Sequence, residues 1–307
     1  MKSKLIILFI FFGLSYPSTG GITGSSYQYG TNARSISLSN ALTANYNNGY
    51  NPLTNPALLG LVKKTEFGFS YFNLSLDRYI QSFSIVIPSP PIASIGISSH
   101  TLGTKNIPGM TSGNVSTGFY DAWEGYIMLS FGLNLGDFLS GINFKILKNQ
   151  ISSSSADGIG LDFGLLYSHL SNVKFGIMFE NLYSKYSWDI QNGVDNISYD
   201  EDFPLIVKLG LASVFFKDCL ILYQLDFLPD YDEILNKAGL ELTFNNMKYR
   251  LGLNDKNNQL NYSIGFGTNI FKTKNDLNIS MDYALDMGLV NEGTSHLFTF
   301  IFKKWED

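Results

Sequence analysis

The chain has 307 residues, a formal charge of −5, one cysteine, and 15% charged against 15% aromatic residues. So little charge cannot coat an ordinary water-exposed surface, where about 25% is usual, and the acidic balance argues against nucleic-acid binding. Cys219 stands alone, which excludes an internal disulfide. After the N-terminus no run of about 18 apolar residues occurs, which excludes helical membrane spans but not barrel strands.

Residues Met1 to Gly20 read as a secretory signal: Lys2 and Lys4 are the basic start, Leu5 to Leu14 the apolar stretch, and Ser18-Thr19-Gly20 the small-residue cleavage site. The mature chain is expected to begin near Gly21. Residues 21–64 do not alternate and are rich in Ser, Asn, Tyr and Gly. Within them Asn55-Pro56-Ala57-Leu58-Leu59-Gly60 has the grammar of a short helix, with Asn as N-cap, Pro preset at the first helical position and Gly to end it. This segment is expected to fold into a barrel lumen as a hatch or plug; a flexible periplasmic tail is the alternative.

From Glu66 onward fourteen strands are expected, at 66–74, 78–87, 92–101, 119–131, 139–149, 157–168, 173–181, 204–213, 219–227, 237–244, 247–254, 259–269, 276–287 and 294–303. Their lengths bracket the roughly 9–11 residues with which a tilted strand crosses a bilayer. Alternation is clear in Phe67, Phe69 and Tyr71 against Gly68 and Ser70. It is longest at Leu277 to Gly288, where Leu277, Ile279, Met281, Tyr283, Leu285 and Met287 share one parity. Period two fixes the register but not which face is wet: a soluble sandwich would turn the apolar face into a core, a membrane barrel would turn it to lipid.

The polar parity favours the barrel. It carries Gly, Ser, Ala and Asn with a few charges of mixed sign, of which Lys208, Asp226, Glu241, Arg250 and Asp282 lie near strand middles. An Arg or Lys on the lipid face at the midplane would cost about 2–4 kcal/mol, so these charges are expected to form a salt-bridge network in the lumen. The connections agree. Those expected on the periplasmic side are short, and the two longest, Leu102–Gly118 and Leu182–Phe203, share the external side. Residues 65–307 are therefore expected to form an all-β, antiparallel transmembrane barrel of about 14 strands, surrounded by outer-membrane lipid.

No catalytic chemistry stands out. The histidines are His100, His169 and His296, with the first and last expected near the external rim and His169 in a periplasmic turn. Serines surround them only because the chain is serine-rich, so no enzyme is expected. The acids Asp200-Glu201-Asp202 and Asp230, Asp232, Glu233 lack ligand spacing and read as solvated loop acids, so neither metal nor cofactor is expected.

Asn32-Ala33-Arg34-Ser35, then Asn55-Pro56-Ala57, then Met281-Asp282-Tyr283-Ala284 and Thr294-Ser295-His296-Leu297-Phe298 give the chain a resemblance to the PorV/PorQ family of outer-membrane proteins. That family is itself similar to FadL-type transporters of hydrophobic compounds, which share the Asn-Pro-Ala hatch motif. The resemblance implies a fourteen-stranded barrel with an N-terminal hatch at Asn55, Pro56 and Ala57. It also implies an accessory role in type IX protein secretion or surface attachment, with secreted or surface proteins as partners. The alternative it leaves open is a FadL-like channel for hydrophobic small molecules.

Overall fold

The computed structural model describes residues 22–304 apart from 171, 192–195, 217, 257–258, 273–276 and 287–293. The expected signal segment, and the end of the long alternating stretch at Met287 and Gly288, lie outside the described residues. Fifteen strands are assigned among the described residues: β1 (Glu66–Asn73), β2 (Arg78–Ser89), β3 (Ala93–Met110), β4 (Ser116–Leu135), β5 (Phe138–Ile151), β6 (Ser154–Tyr167), β7 (Val173–Gln191), β8 (Asn196–Asp202), β9 (Ile206–Val214), β10 (Cys219–Leu228), β11 (Glu233–Phe244), β12 (Met247–Lys256), β13 (Gln259–Lys272), β14 (Leu277–Asp286) and β15 (Ser295–Lys304).

All pairings are antiparallel, and β1 pairs β15 from Glu66↔Lys303 to Asn73↔His296, so the sheet closes on itself. Strands β8 and β9 both pair β7, one beyond the other, and occupy a single position in the wall. The barrel is therefore fourteen-stranded. The break between them falls at Pro204, which has no N–H to give to a ladder. Opposite it, β7 bulges at Asn181 (φ 58°), whose N–H donates to Asp162 Oδ1 at 2.9 Å and whose Nδ2 donates to the Pro204 carbonyl at 3.3 Å.

The two stretches expected as long external loops are instead strand. β3 and β4 stay paired out to Met110↔Ser116, and β7 and β8 to Gln191↔Asn196, so hairpin ribbons rise beyond the barrel wall. Beyond Thr104 both faces of the β3–β4 ribbon are largely exposed, which removes the one-sided apolar pattern by which the shorter strand segments were read. The β7–β8 ribbon instead keeps one covered face, with Ser184, Tyr186 and Trp188 buried between exposed Tyr183, Ser187 and Asp189. At the opposite end the turns are tight. Asn245 and Asn246 both take positive φ, 48° and 65°, the two-residue turn whose twist matches a hairpin. Short turns at one end and ribbons at the other orient the barrel, ribbons outward.

The apolar parity faces away from the barrel axis. Ile127 is 63% and Ile146 70% exposed, while their inward neighbours Met128 and Leu147 are buried. On β5 the outward row Phe144 and Ile146 gives way to Lys148, which meets Asp157 of β6 at 3.7 Å and marks the edge of the apolar belt. Among the described residues no second sheet covers this face. An exterior of this kind is stable only in lipid, and a closed antiparallel barrel with one short-turn end is the outer-membrane form. The chain is an outer-membrane barrel.

Candidate functional site

The lumen is filled by the N-terminal segment. After a 3-10 turn at Ser25–Gln28 comes α1 (Ala33–Ser37), capped by Asn32, whose Oδ1 accepts from Ser35 N–H at 2.7 Å, and then a 3-10 turn at Pro56–Leu61. That second turn runs one residue past Gly60, which was expected to end it. Asn55 caps it through Oδ1, accepting from Ala57 N–H at 3.0 Å, and its Nδ2 donates to the Thr43 carbonyl at 2.8 Å. One side chain thus ties two passes of the segment together. Asn55 and Ala57 are fully buried.

The small residues of the polar parity are where this segment touches the wall. A Cβ on Gly141 would overlap the backbone of Pro56, one on Gly132 the Leu59 side chain, one on Gly176 the Thr43 backbone, and one on Gly164 the Asn55 amide. On the other side of the barrel Gly252 and Gly265 face Ser39 and Ser37. The inward glycines are the footprint of the segment, and period two explains why they alternate with lipid-facing leucines and phenylalanines.

The five charges expected as one network fall into two clusters. Arg250 lies between Glu241 Oε2 and Asp282 Oδ1, each at 2.7 Å, and Arg34 of α1 joins at 2.9 Å from Glu241 Oε2; all four side chains are less than a tenth exposed. This cluster ties the N-terminal segment to β11, β12 and β14. Lys208 and Asp226 are cross-strand neighbours, yet each pairs elsewhere: Lys208 with Glu180 at 2.6 Å, Asp226 with Lys237 and with Gln224 Nε2 at 2.7 Å. Sequence reasoning missed Arg34 as a member, along with Glu180, Lys237 and Gln224. Arg34 lay in the quoted Asn-Ala-Arg-Ser stretch, but nothing local tells that α1 would be pressed against Glu241.

Two adjoining cavities flank this second cluster. The outer one, about 200 Å³, is bordered by the outward ends of β2, β12, β13 and β14, including Arg78, Asn254, Asn261 and Asp286. The inner one, about 50 Å³, reaches Glu180, Lys208, Gln224 and Asp226. Gln28, Tyr29, Asn40, Leu235 and Lys237 line both and form the neck between them. Over the inner cavity lies the arm, residues 22–29. Ser26 donates to Glu124 and Thr23 to Glu201 at 2.6 Å, and Glu201 also accepts from Trp188 Nε1 at 2.6 Å. Tyr27 stacks on Phe203 and meets the Tyr186 hydroxyl at 2.6 Å. Burial pushes the Tyr27 hydroxyl far above the usual phenol range, with Tyr186 and Glu124 adding to the rise, so it stays neutral.

His100 is not at the rim as expected but fully buried in the lumen, its Nδ1 2.8 Å from Ser82 Oγ. Asp137, on the short-turn side, holds His169 at 2.7 Å, and His296 meets the Tyr283 hydroxyl on the exposed face. No histidine joins a serine and a carboxylate among the described residues, nor do three acidic, His or Cys side chains gather there as metal ligands.

No family model matches the chain, and no curated protein matches it. Solved structures do. The Pseudomonas putida toluene transporter TodX aligns with 91% of this chain and 99% of its own at TM-score 0.66 and 12% identity. The fold is that of the FadL-type channels. The CymD monoaromatic hydrocarbon channel covers 91% of this chain and 98% of its own at TM-score 0.60 and 10% identity, and a Pseudomonas aeruginosa FadL homologue covers 89% and 97% at 0.61 and 11%. These matches are channels and transporters, not enzymes. They overturn the PorV/PorQ assignment, and with it the type IX secretion role and the secreted or surface protein partners. Of the stretches that suggested that family, Asn55-Pro56-Ala57 is common to both groups and could not separate them.

Proposed function

We propose that the chain is a FadL-like outer-membrane channel admitting small hydrophobic, aromatic-sized molecules, with residues 22–64 as its hatch and the Arg34–Glu241–Arg250–Asp282 cluster as the hatch's electrostatic anchor. One observation carries this reading: a cavity of about 200 Å³ lies among the outward strand ends, above a lumen filled by the N-terminal segment, in a barrel that superposes along nearly its whole length on a toluene transporter. An engineered apolar cavity of roughly 150 Å³ holds one benzene ring, so the outer chamber is of the right size. The inner cavity is not, and passage requires the arm over it to move.

The test is uptake of labelled toluene, at submicromolar concentration, by cells that lack their own aromatic channels and carry this chain in an intact outer membrane. Uptake should exceed that of cells carrying an unrelated closed barrel. Equal uptake would remove the proposal.

A further inference from the structure

The neck between the two cavities is polar, and this bears on what passes it. Ligand pockets for plain hydrocarbons are lined mostly by apolar side chains. Here the neck is Gln28, Tyr29, Asn40 and Lys237 with the single apolar Leu235, and directly beneath it stand Gln224 and Asp226. Lys237 is the only charged side chain among the five that line both chambers. Its side chain is 12% exposed, and among the described residues its ammonium meets one partner, a carboxylate oxygen of Asp226. An ammonium carries three N–H donors, so two remain for whatever stands in the neck. Asp226 is engaged on both oxygens, taking Lys237 on one and Gln224 on the other.

An unsubstituted ring pushed through this neck strips water from Lys237, Gln28 and Asn40 and returns nothing, and a buried donor left without a partner is costly. A ring bearing an oxygen replaces the lost water with an acceptor at the ammonium. The apolar remainder still has Leu235, Ile36 and the ring of Tyr29 beside it.

Resting on the channel reading above, we infer that the preferred substrate is a one-ring aromatic bearing a hydroxyl or carbonyl oxygen, selected at the neck by Lys237. An oxygen that accepts from a charged donor should be favoured about tenfold or more over none.

Cells carrying the full chain are given labelled 4-methylphenol or toluene, the same ring and methyl group with and without the oxygen, each corrected for uptake by cells with an unrelated barrel. The wild-type chain is expected to admit 4-methylphenol about tenfold faster. In the double variant Asp226→Asn with Lys237→Met, which removes the ammonium without stranding its carboxylate partner, that ratio should fall toward one. Toluene entering as fast as 4-methylphenol in the wild type overturns the inference while leaving the channel intact, and needs no variant to fold. A tenfold ratio that survives in the double variant also overturns it, since the selection then lies elsewhere. If neither compound enters, the channel reading itself has failed.

Discussion

The two ends of the N-terminal segment are contiguous in sequence and held by opposite means. From Asn32 to Leu59 the chain is largely buried, its backbone set into wall positions where only glycine fits, and α1 is bound by Arg34 into a four-member ion cluster. The arm from Thr23 to Tyr29 has no fully buried residue in its 3-10 turn; it holds on by side-chain hydroxyls to Glu124, Glu201, Tyr186 and Asp286 and by the packing of the Tyr27 ring on Phe203 and Tyr126. Shape and paired charge make the first part a fixture. A few exchangeable hydrogen bonds and one packed ring make the second the more easily moved part, and it lies where the inner cavity must widen.

The sharpest way to break this contrast is Arg250→Ala. It strips Asp282 of its partner and leaves Glu241 to Arg34 and the more distant Lys248, and breaking such a buried cluster costs about 3–5 kcal/mol. The midpoint of urea unfolding of the detergent-solubilised barrel should fall accordingly; an unchanged midpoint would mean that water reaches the cluster. Gly141→Val comes next. Its methyls meet the Pro56 backbone, which has no rotamer to yield, and overpacking of this kind costs about 1–3 kcal/mol. Displacing the hatch there should also raise single-channel conductance in planar bilayers, whereas the same substitution with normal conductance would show that the segment is not the stopper.

Asn55→Ala removes the cap of the second 3-10 turn and the tie to Thr43, an expected loss of about 1–2 kcal/mol. Limited proteolysis should then cut within residues 42–62, where the wild-type chain resists. The smallest effect on stability belongs to the arm. Thr23→Val with Ser26→Ala should leave the unfolding midpoint within about 0.5 kcal/mol, because the arm can open without unfolding the wall. Yet protease added outside intact cells should clip residues 22–30 at least several-fold faster. If instead the midpoint drops as far as for Gly141→Val, the arm is part of the fixture and the contrast fails.

Much of the wall was legible because a strand with lipid on one side and a lumen on the other must alternate. Phe67, Phe69 and Tyr71 point outward while Ser70 is fully buried, as their parity demands. The β3–β4 ribbon was not legible, since water on both faces of residues 105–118 leaves no period to read. The β7–β8 ribbon does alternate, Ser184, Tyr186 and Trp188 inward against exposed Tyr183, Ser187 and Asp189, under a loop-like content of Ser, Asn and Asp. The bulge at Asn181 was hidden for another reason: it depends on Asp162 and Pro204, which approach it only across strands. Of the candidate site, Asn55 could be named because its capping chemistry is local. Lys237 could not, because its importance comes from standing between two cavities that the folded N-terminal segment creates.

Composition and parity alone determined that this chain lives in lipid as strands: too few charges to face water, no apolar run after the N-terminus long enough for a spanning helix, and side chains sorted by a period of two. Only the closed barrel decided which groups meet inside it. Arg34 reaches Glu241 across 207 positions of sequence, and Ser26 reaches Glu124 across 98, because closure and register bring them to one height in the lumen. Local rules set each strand's outward face, while the inward face is a shared space whose contents depend on every strand at once.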